Sequence, residues 1–319
     1  MDRPSRWQFY VVRPRDRSFA AQIRHTLVSF DSEEHPLPGV RNAASLGTFV
    51  EQILESVRRV NYVAVVAGRN ISELRADPSS ELFDPLKGAV LKIRQNDIEE
   101  AFWLVFLFVH LGKHSRYGWH LARDIYGALG NTGKWTWNRV STDPKAFREW
   151  LAANRPSLRG AFGNHRKYES LDAKSGSGTG AAVESYVRWV RPPRTHKMLI
   201  EALRQSAGND PKVLFNLLYE SLNAVSRFGR TARFDYLTMI GKLGLAPVEP
   251  GSTYMQGATG PFSGACLLFN GSTEKRTNRS ELDSLVAELG ARLGVGMQVM
   301  EDALCNWQKS PIKFVAFRG

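Results

Sequence analysis

The sequence IEEAFWLVFLFVHL, residues 98–111, is the most apolar stretch of the chain and decides its fold. Its apolar residues leave no polar face, which predicts a buried helix rather than one that lies at the surface. Asp97 is the predicted N-cap, and Glu99 and Glu100 are placed to complement the helix dipole. The uninterrupted apolar run covers only residues 101–111, whereas a membrane span needs about 20 residues. We therefore expect a core helix and no membrane span.

Apolar residues at helical spacing recur along most of the chain. Phe49, Ile53, Leu54 and Val57 mark one amphipathic helix. Further helices are predicted over residues 119–129, 145–154, 181–190, 211–228, 231–243, 262–269, 280–293 and 295–308. Strand signals are scarce, and no fixed-period repeat occurs. The sequence thus predicts a mostly α fold of two helical lobes with a cleft between them.

Composition shifts suggest where the domains divide. Residues 1–48 are mixed in character, with a turn-forming HPLPG at 35–39, and are predicted to form an N-terminal arm or subdomain. A flexible SGSGTG loop covers residues 175–180, and Pro192-Pro193 follows the next predicted helix. We therefore expect three segments: residues 1–48, a helical lobe over 49–191 and a second lobe over 192–319.

The charge of the chain predicts an interaction with nucleic acid. The 43 Lys and Arg exceed the 31 Asp and Glu, so the formal net charge is +12. A positive surface attracts phosphate and releases its counterions. Aromatic residues stand among the basic ones in three clusters, at 165–168, 186–189 and 233–236, where bases could stack while Arg and Lys hold phosphates. A solvated basic surface is the alternative for any single cluster.

Other features limit the location and the cofactors. The N-terminal 17 residues carry arginines and prolines but no apolar segment of the kind that a secretory signal needs, so a cytoplasmic location is expected. Cys266 and Cys305 cannot make a disulfide framework or a four-cysteine zinc site. His110 and His114 have a spacing that could hold a metal, but no further ligand supports it, and they are expected to be structural or to contact phosphate. No cofactor is predicted.

Two carboxylates are candidates for catalysis. Asp235 is predicted in the first turn of a helix that begins at Thr231, where the helix N-terminus would keep it ionised. Glu301 is predicted at the margin of a buried helical face, where partial desolvation would raise its pKa toward a value useful for proton transfer. Structural roles are the alternatives, namely dipole complementation for Asp235 and an arginine partner for Glu301.

A glycine-rich turn precedes one of the apolar helices. Gly257 and Gly260 in GATGPFSGA, residues 257–265, could let the backbone approach a phosphate at the helix start. Helix-hairpin-helix DNA-binding modules use this arrangement. A tight turn between helices is the alternative, and spacing alone does not separate the two.

Several stretches together resemble a known family. They are FDPLK at 83–87, FGNHRKYE at 162–169, RFGRTARFDY at 227–236, the turn at 257–265 and MEDALCNWQK at 300–309. Over roughly residues 50–319 the chain resembles the alpha-glutamyl/putrescinyl thymine pyrophosphorylases of clade 3, whose Glu-x-x-Leu-Cys-x-x-x-Lys signature matches Glu301 to Lys309. Such proteins are similar to helix-hairpin-helix DNA glycosylases and are associated with hypermodified pyrimidines in phage DNA.

The residues and the resemblance lead to one hypothesis with two alternatives. We expect a DNA N-glycosylase that flips a bulky modified pyrimidine, for example glucosylated hydroxymethylcytosine, out of double-stranded phage DNA and excises it as an anti-phage defence. The candidate catalytic residues are Asp235, Glu301 and Lys309; the candidate DNA-binding residues are Arg166, Lys167, Tyr168, Arg230, Arg233, Gly257 and Gly260; and the candidate base-pocket residues are Phe234, Tyr236 and His165. No obligate protein partner is predicted. The alternatives are a transferase that makes hypermodified thymine and a non-catalytic DNA-binding module.

Overall fold

The computed structural model describes residues 12–32, 34–131, 133–274 and 277–316, and these residues are mostly helical. Fourteen α-helices lie within them: α1 Arg17–Phe30, α2 Ala43–Ala67, α3 Pro85–Arg94, α4 Ile98–Leu111, α5 His120–Tyr126, α6 Trp137–Thr142, α7 Pro144–Asn154, α8 Thr179–Val190, α9 His196–Ser206, α10 Pro211–Ser221, α11 Arg230–Lys242, α12 Gly260–Asn270, α13 Arg279–Leu293 and α14 Met297–Trp307. One isolated antiparallel bridge joins His114 and Gly118. The predicted mostly α fold is confirmed. No helix among the described residues is both long and apolar enough to cross a bilayer.

The helix boundaries show which local signals in the sequence act as expected. Asp143, before the predicted helix 145–154, accepts a hydrogen bond from the backbone N–H of Ala146 as an N-cap residue, and Asp210 caps α10 in the same way. Asp97 makes no such bond at the start of α4 and instead pairs with Lys92 at 3.0 Å. Helices α1, α3, α6 and α9 were not predicted, although Asp84 caps α3 directly before Pro85.

The chain divides into two compact units. The described residues of the first unit lie within 12–62 and 251–316, and those of the second within 63–250. The expected boundary between residues 48 and 49 falls inside α2, and the one between 191 and 192 falls inside the second unit. Residues 12–48 are not a separate arm, because apolar residues of α1 share one core with α13 and α14.

In the first unit, α12 packs against α14 at very short range. A Cβ atom on Gly264 would lie 2.3 Å from the backbone oxygen of Leu304. The ring of Phe49 on α2 lies 4.7 Å from that of Trp307, centroid to centroid, and joins α2 to the same core. Glycine at position 264 is therefore a packing requirement.

The second unit is built around α4, of which 11 of 14 residues are buried. Trp103 donates from Nε1 to the backbone oxygen of Trp135 at 2.7 Å. Glu100, also buried, accepts hydrogen bonds from the Tyr126 hydroxyl and the Trp137 backbone N–H, both at 2.7 Å. The polar atoms of Trp103 and Glu100 that this helix carries into the core are thus satisfied.

His110, near the end of α4, is a core residue. Its Nε2 lies 3.1 Å from the Thr179 hydroxyl, and only 1% of the residue is exposed. Burial, with the nearby charges of Arg166 and Arg227, lowers the pKa of His110 to about 3. The structural role expected for His110 is therefore the one observed, and the imidazole is neutral at neutral pH.

Replacing Gly264 by alanine should destabilise the protein by about 1–3 kcal/mol, because the new methyl group meets the backbone of α14. Gly47→Ala is the matched control: it lies in α2, a Cβ there would meet no heavy atom within 4 Å, and the substitution should stabilise by about 0.5–1 kcal/mol. Urea unfolding measures both changes in free energy. Equal changes in the free energy of unfolding for the two variants would contradict the claim that packing requires glycine at position 264.

The stability should fall as the pH is lowered from neutral. The folded-state pKa of His110, about 3, lies below its unfolded value of about 6.5, so the unfolded chain binds a proton that the folded chain does not. At pH 5 this residue alone should cost about 2 kcal/mol, and the cost grows until the pH falls through about 3. His110→Gln should remove that part of the pH dependence in urea unfolding at pH 8 and pH 5. If the free energy of unfolding changes between pH 8 and pH 5 by the same amount in His110→Gln as in the wild type, His110 is not the cause.

Candidate functional site

Two sequence segments from the second unit come together at the candidate site. Arg166, in the segment 162–169, donates from Nη2 to Oδ2 of Asp235 on α11 at 3.0 Å. Arg227, just before α11, donates from Nε to Glu169 at 2.7 Å and from Nη2 to the Tyr168 backbone oxygen at 3.2 Å. Two arginines, one in each segment, therefore hold the two segments together.

The segment 162–169 is anchored to the C-terminal end of α4. The backbone N–H of Gly163 donates to Leu111, and Nε of Arg166 donates to the Val109 oxygen at 2.8 Å. These bonds satisfy carbonyl groups that a helix end leaves without partners. Gly112 has a φ of +66°, and a Cβ there would lie 3.2 Å from Cα of Gly163, so the close approach requires glycine. The segment is fixed by a rigid helix.

Lys167 and Tyr168 project from this anchored segment. Tyr168 is 81% exposed, the highest exposure among the large hydrophobic side chains of the described residues. Nζ of Lys167 lies 4.9 Å from the centre of its ring. A rigid backbone therefore presents an aromatic face and a positive charge to solvent, as single-strand and groove binders do. The predicted neighbours of Arg166 are thus outward-facing, while Arg166 itself is buried.

Asp235 lies in the second turn of α11, because the helix begins at Arg230 rather than Thr231. The prediction that the helix N-terminus stabilises the Asp235 carboxylate is therefore wrong, since the helix dipole acts mainly on the first turn. The Arg166 guanidinium supplies the positive charge instead. The Asp235 side chain is 43% exposed, so the carboxylate reaches solvent.

Phe234 and Tyr236 do not line an open pocket. Phe234 is 1% exposed and Tyr236 is fully buried. The Phe234 ring packs against Phe215 of α10, and the Tyr236 ring packs against Tyr186 of α8. His165, in contrast, is exposed. The expectation of a base pocket made by the rings at 234 and 236 is therefore wrong in this structure.

The Tyr236 hydroxyl ends a buried chain of hydrogen bonds. It lies 2.8 Å from the Tyr186 hydroxyl, which lies 2.7 Å from Nε2 of His196; Nδ1 of His196 lies 2.7 Å from Glu99. Burial would raise the pKa of Glu99, but hydrogen bonds from His196 outweigh burial and lower it. The ionised Glu99 accepts from Nδ1–H, so Nε2 accepts from Tyr186 and Tyr186 accepts from Tyr236. This chain fixes α11 and hence the place of Asp235.

The two candidate arginines on α11 differ in their surroundings. Nη1 of Arg233 donates to the Tyr219 backbone oxygen and to Oδ1 of Asn223, so its guanidinium supports the scaffold. The Arg230 guanidinium lies 4.9 Å from the centre of the Phe234 ring at the start of the helix.

In the first unit, the signature residues lie on α14 and in the turn that follows it. Glu301 and Cys305 are one helical turn apart on α14 and partly buried, while Leu304 is fully buried. Lys309 lies beyond the end of the helix, and its Nζ donates to Oδ1 of Asn306 at 3.0 Å. The spacing of the signature therefore places Glu301 and Cys305 on one side of α14 but not Lys309.

Hydrogen bonds also join α14 to α2 in the first unit. Asn306 donates to Oδ1 of Asp302, and Nη1 of Arg59 on α2 donates to the same oxygen at 3.0 Å. Asp302, next to Glu301, thus has an arginine partner on α2. This ion pair ties α14 to α2.

The glycine turn also lies beside α14. A Cβ on Gly260 would lie 2.5 Å from Sγ of Cys305, so Gly260 allows a helix contact rather than the approach of a phosphate. Gly257 has a φ of +74°, and Nη1 of Arg279 donates to the backbone oxygens of Met255 and Ala258. No described helix ends directly before the turn, because α11 stops at Lys242. The helix-hairpin-helix interpretation of the turn is therefore wrong.

Sequence reasoning missed Glu51. It lies on α2, is 8% exposed, and burial raises its pKa to about 7, against the charge of Arg58. Gln52 and Ser56 beside it are buried, and Nε2 of Gln52 and Oγ of Ser56 have no hydrogen-bond partner. The sequence signal that could have identified Glu51 is the presence of these polar residues in an amphipathic stretch. A carboxyl group with a pKa near neutrality could donate or accept a proton.

The candidate carboxylates belong to different units, with Asp235 in the second and Glu301 in the first. Among the described residues, no group of three or more His, Cys, Asp or Glu is arranged to hold a metal ion. What the second unit offers chemically is an ion-paired, solvent-reaching carboxylate beside an exposed aromatic and a lysine.

Comparison with known proteins identifies the family of the chain. Residues 44–319 match the family model for alpha-glutamyl/putrescinyl thymine pyrophosphorylase, clade 3. No curated protein and no solved structure matches it, so similarity to DNA glycosylases stays a prediction. The family is related to hypermodified thymine and to DNA modification, which indicates an enzyme acting on modified DNA bases. Because the match covers most of the chain, the protein belongs to the alpha-glutamyl/putrescinyl thymine pyrophosphorylase clade 3 family.

Proposed function

We propose that this protein is a DNA N-glycosylase that removes a bulky modified pyrimidine from double-stranded phage DNA and leaves an abasic site. The observation that carries the proposal is the Arg166–Asp235 pair, in which a 43% exposed carboxylate lies beside the segment that presents Lys167 and Tyr168. Such an enzyme would act as an anti-phage defence. Glucosylated hydroxymethylcytosine is one candidate substrate.

The chemistry explains why a carboxylate is needed. Breaking the bond between sugar and base builds positive charge on the sugar, and a nearby anion stabilises that transition state and can orient water. Asp235 is the first candidate because its side chain reaches solvent and its position is fixed by Arg166. Glu301 is the second, and Lys309 would neutralise the departing base or contact phosphate.

DNA binding would use the outward-facing residues. Extruding a nucleotide costs a few kcal/mol of stacking and pairing, which contacts to the opened duplex must offset. The exposed ring of Tyr168 can stack on a base, and Lys167 and Arg230 can contact phosphates. Arg166 acts in this scheme through Asp235 and the backbone rather than by touching DNA.

The family description favours one alternative, a transferase acting on a pyrophosphorylated thymine derivative. Such an enzyme would leave the sugar–base bond intact. Purified protein incubated in EDTA with DNA from phages carrying different modifications separates these functions. Mass spectrometry should detect a free modified base, and alkali should cleave the DNA at abasic sites. Intact DNA with every modification tested would contradict the glycosylase.

Asp235→Asn should lower the rate of base release by about 100-fold to 1000-fold, because it removes the charge that faces the cationic sugar. Glu201→Gln is the matched control, since Glu201 is also paired with an arginine, Arg204, but lies on α9. Single-turnover release measures both, with circular dichroism to confirm the fold. Full activity in Asp235→Asn would exclude Asp235 and leave Glu301→Gln as the next variant to test.

Replacing Lys167 by alanine should reduce the slope of log affinity against log salt by about 1, because one phosphate contact is lost. Tyr168→Ala should weaken binding by about 1–3 kcal/mol with little change in that slope, because stacking is not ionic. Lys145→Ala, an exposed lysine on α7, is the control for charge. Fluorescence anisotropy between 50 and about 200 mM salt measures the slopes. Identical slopes for Lys167→Ala and Lys145→Ala would remove Lys167 from the interface.

A further inference from the structure

A cavity of about 440 Å³ lies in the second unit, apart from the Arg166–Asp235 pair. Its wall is formed partly by backbone and glycine and partly by charged side chains. The charged residues that line it are Asp77, Glu81, Arg123, Asp124, Lys134 and Arg159. Three cations and three carboxylates line it, so the charges balance only while all three carboxylates face the cavity.

Arg123 is the central residue of this cavity. Its side chain is only 8% exposed, and Nη1 is buried without a hydrogen-bond partner. Oε1 of Glu81 lies 2.5 Å from that nitrogen, but the contact lacks the geometry of a hydrogen bond. A buried guanidinium that lacks a well-aligned acceptor is costly, and a ligand that supplies one would be stabilised.

Glu81 is the counter-ion of Arg123. Its side chain is 75% exposed, although its tip reaches Arg123 and lies 3.4 Å from Nε2 of His120. The Arg123 end of the pair is buried, so the guanidinium needs an anion at this place. An incoming anion that supplies one could displace the Glu81 carboxylate, which can turn to the solvent that already surrounds most of its side chain.

The other two acids are already committed to neighbours. Asp124 is 4% exposed and accepts from the Arg159 backbone N–H and guanidinium. Asp77 accepts from the backbone N–H and the hydroxyl of Ser79 and lies 3.7 Å from Lys134. Withdrawal of Glu81 alone would leave three cations against these two acids, so the cavity would carry a net positive charge.

The glycine side of the cavity allows a ligand to approach the backbone. Gly127, Gly130 and Gly133 line it, together with Leu129. Gly130 and Gly133 have φ values of +80° and +79°, and Leu129 has a φ of +57°, which is uncommon for a branched residue. The backbone N–H groups of Gly130 and Asn131 donate to Gly127 and Ala128 within the turn, so the glycines contribute space for a ligand rather than free donors.

We propose that this cavity binds a phosphate group, which takes the place of the Glu81 carboxylate on Arg123. Arg123 would bind two phosphate oxygens side by side, and Lys134 and Arg159 would add charge at the rim. The phosphate could belong to a DNA backbone or to a free phosphate compound. The site is independent of the proposed excision of a base, because it shares no residue with it.

Isothermal titration of the full chain with inorganic phosphate and with pyrophosphate, in EDTA, tests the site. Wild-type protein should bind at least one of them. Glu81→Gln should bind about fivefold more tightly, because the competing carboxylate is gone, and Lys134→Ala should bind more weakly. Glu149→Gln and Lys145→Ala, at exposed positions of α7, are controls with the same changes of charge.

Competition identifies the source of the phosphate. Displacement of pyrophosphate by an unmodified DNA duplex supports a backbone phosphate, whereas binding unaffected by DNA supports a free compound. Absence of binding by both wild type and Glu81→Gln would overturn the proposal. Equal gains in Glu81→Gln and Glu149→Gln would also overturn it, since the effect would then be one of net charge alone. Neither result requires a variant of the buried Arg123.

Discussion

Burial of α4 is the constraint on which the second unit depends. A helix with 11 of 14 residues buried must be covered on nearly every side, and its polar groups must find partners inside. Glu99 and Glu100 at one end accept hydrogen bonds from His196, Tyr126 and the backbone of Trp137. At the other end, its carbonyl groups accept from the segment that carries the candidate site. Core packing and site geometry therefore have the same origin.

Arg166 links that core to the surface. One of its nitrogens donates to the backbone of α4 at Val109, and another holds Asp235, so its guanidinium serves the fold and the site together. Loss of either partner would leave a buried charge partly unsatisfied, which is costly. The neighbouring Tyr168, in contrast, gains little from the fold and is left exposed. The same segment thus holds one carboxylate in place and presents an exposed aromatic ring.

The first unit shows how a sequence signature can combine two roles. Glu301 and Cys305 lie one turn apart on α14, Lys309 follows in the turn after the helix, and Leu304 is fully buried. Gly260 and Gly264 let α12 approach this helix so closely that a methyl group would not fit. Gly260, which suggested phosphate binding, is thus required for packing, because spacing in sequence does not distinguish a helix neighbour from a ligand.

The sequence by itself determined the helical class, the buried helix at 98–111, the basic charge and the family, because each depends on local periodicity or composition. It could not show that residues 12–62 join the C-terminal helices, or that Phe234 and Tyr236 face inward, since these depend on contacts between distant segments. Nor could it show that Arg166 supports Asp235 or that burial raises the pKa of Glu51 to about 7. Only tertiary structure decided these points, because charge partners and desolvation arise when remote residues are packed together.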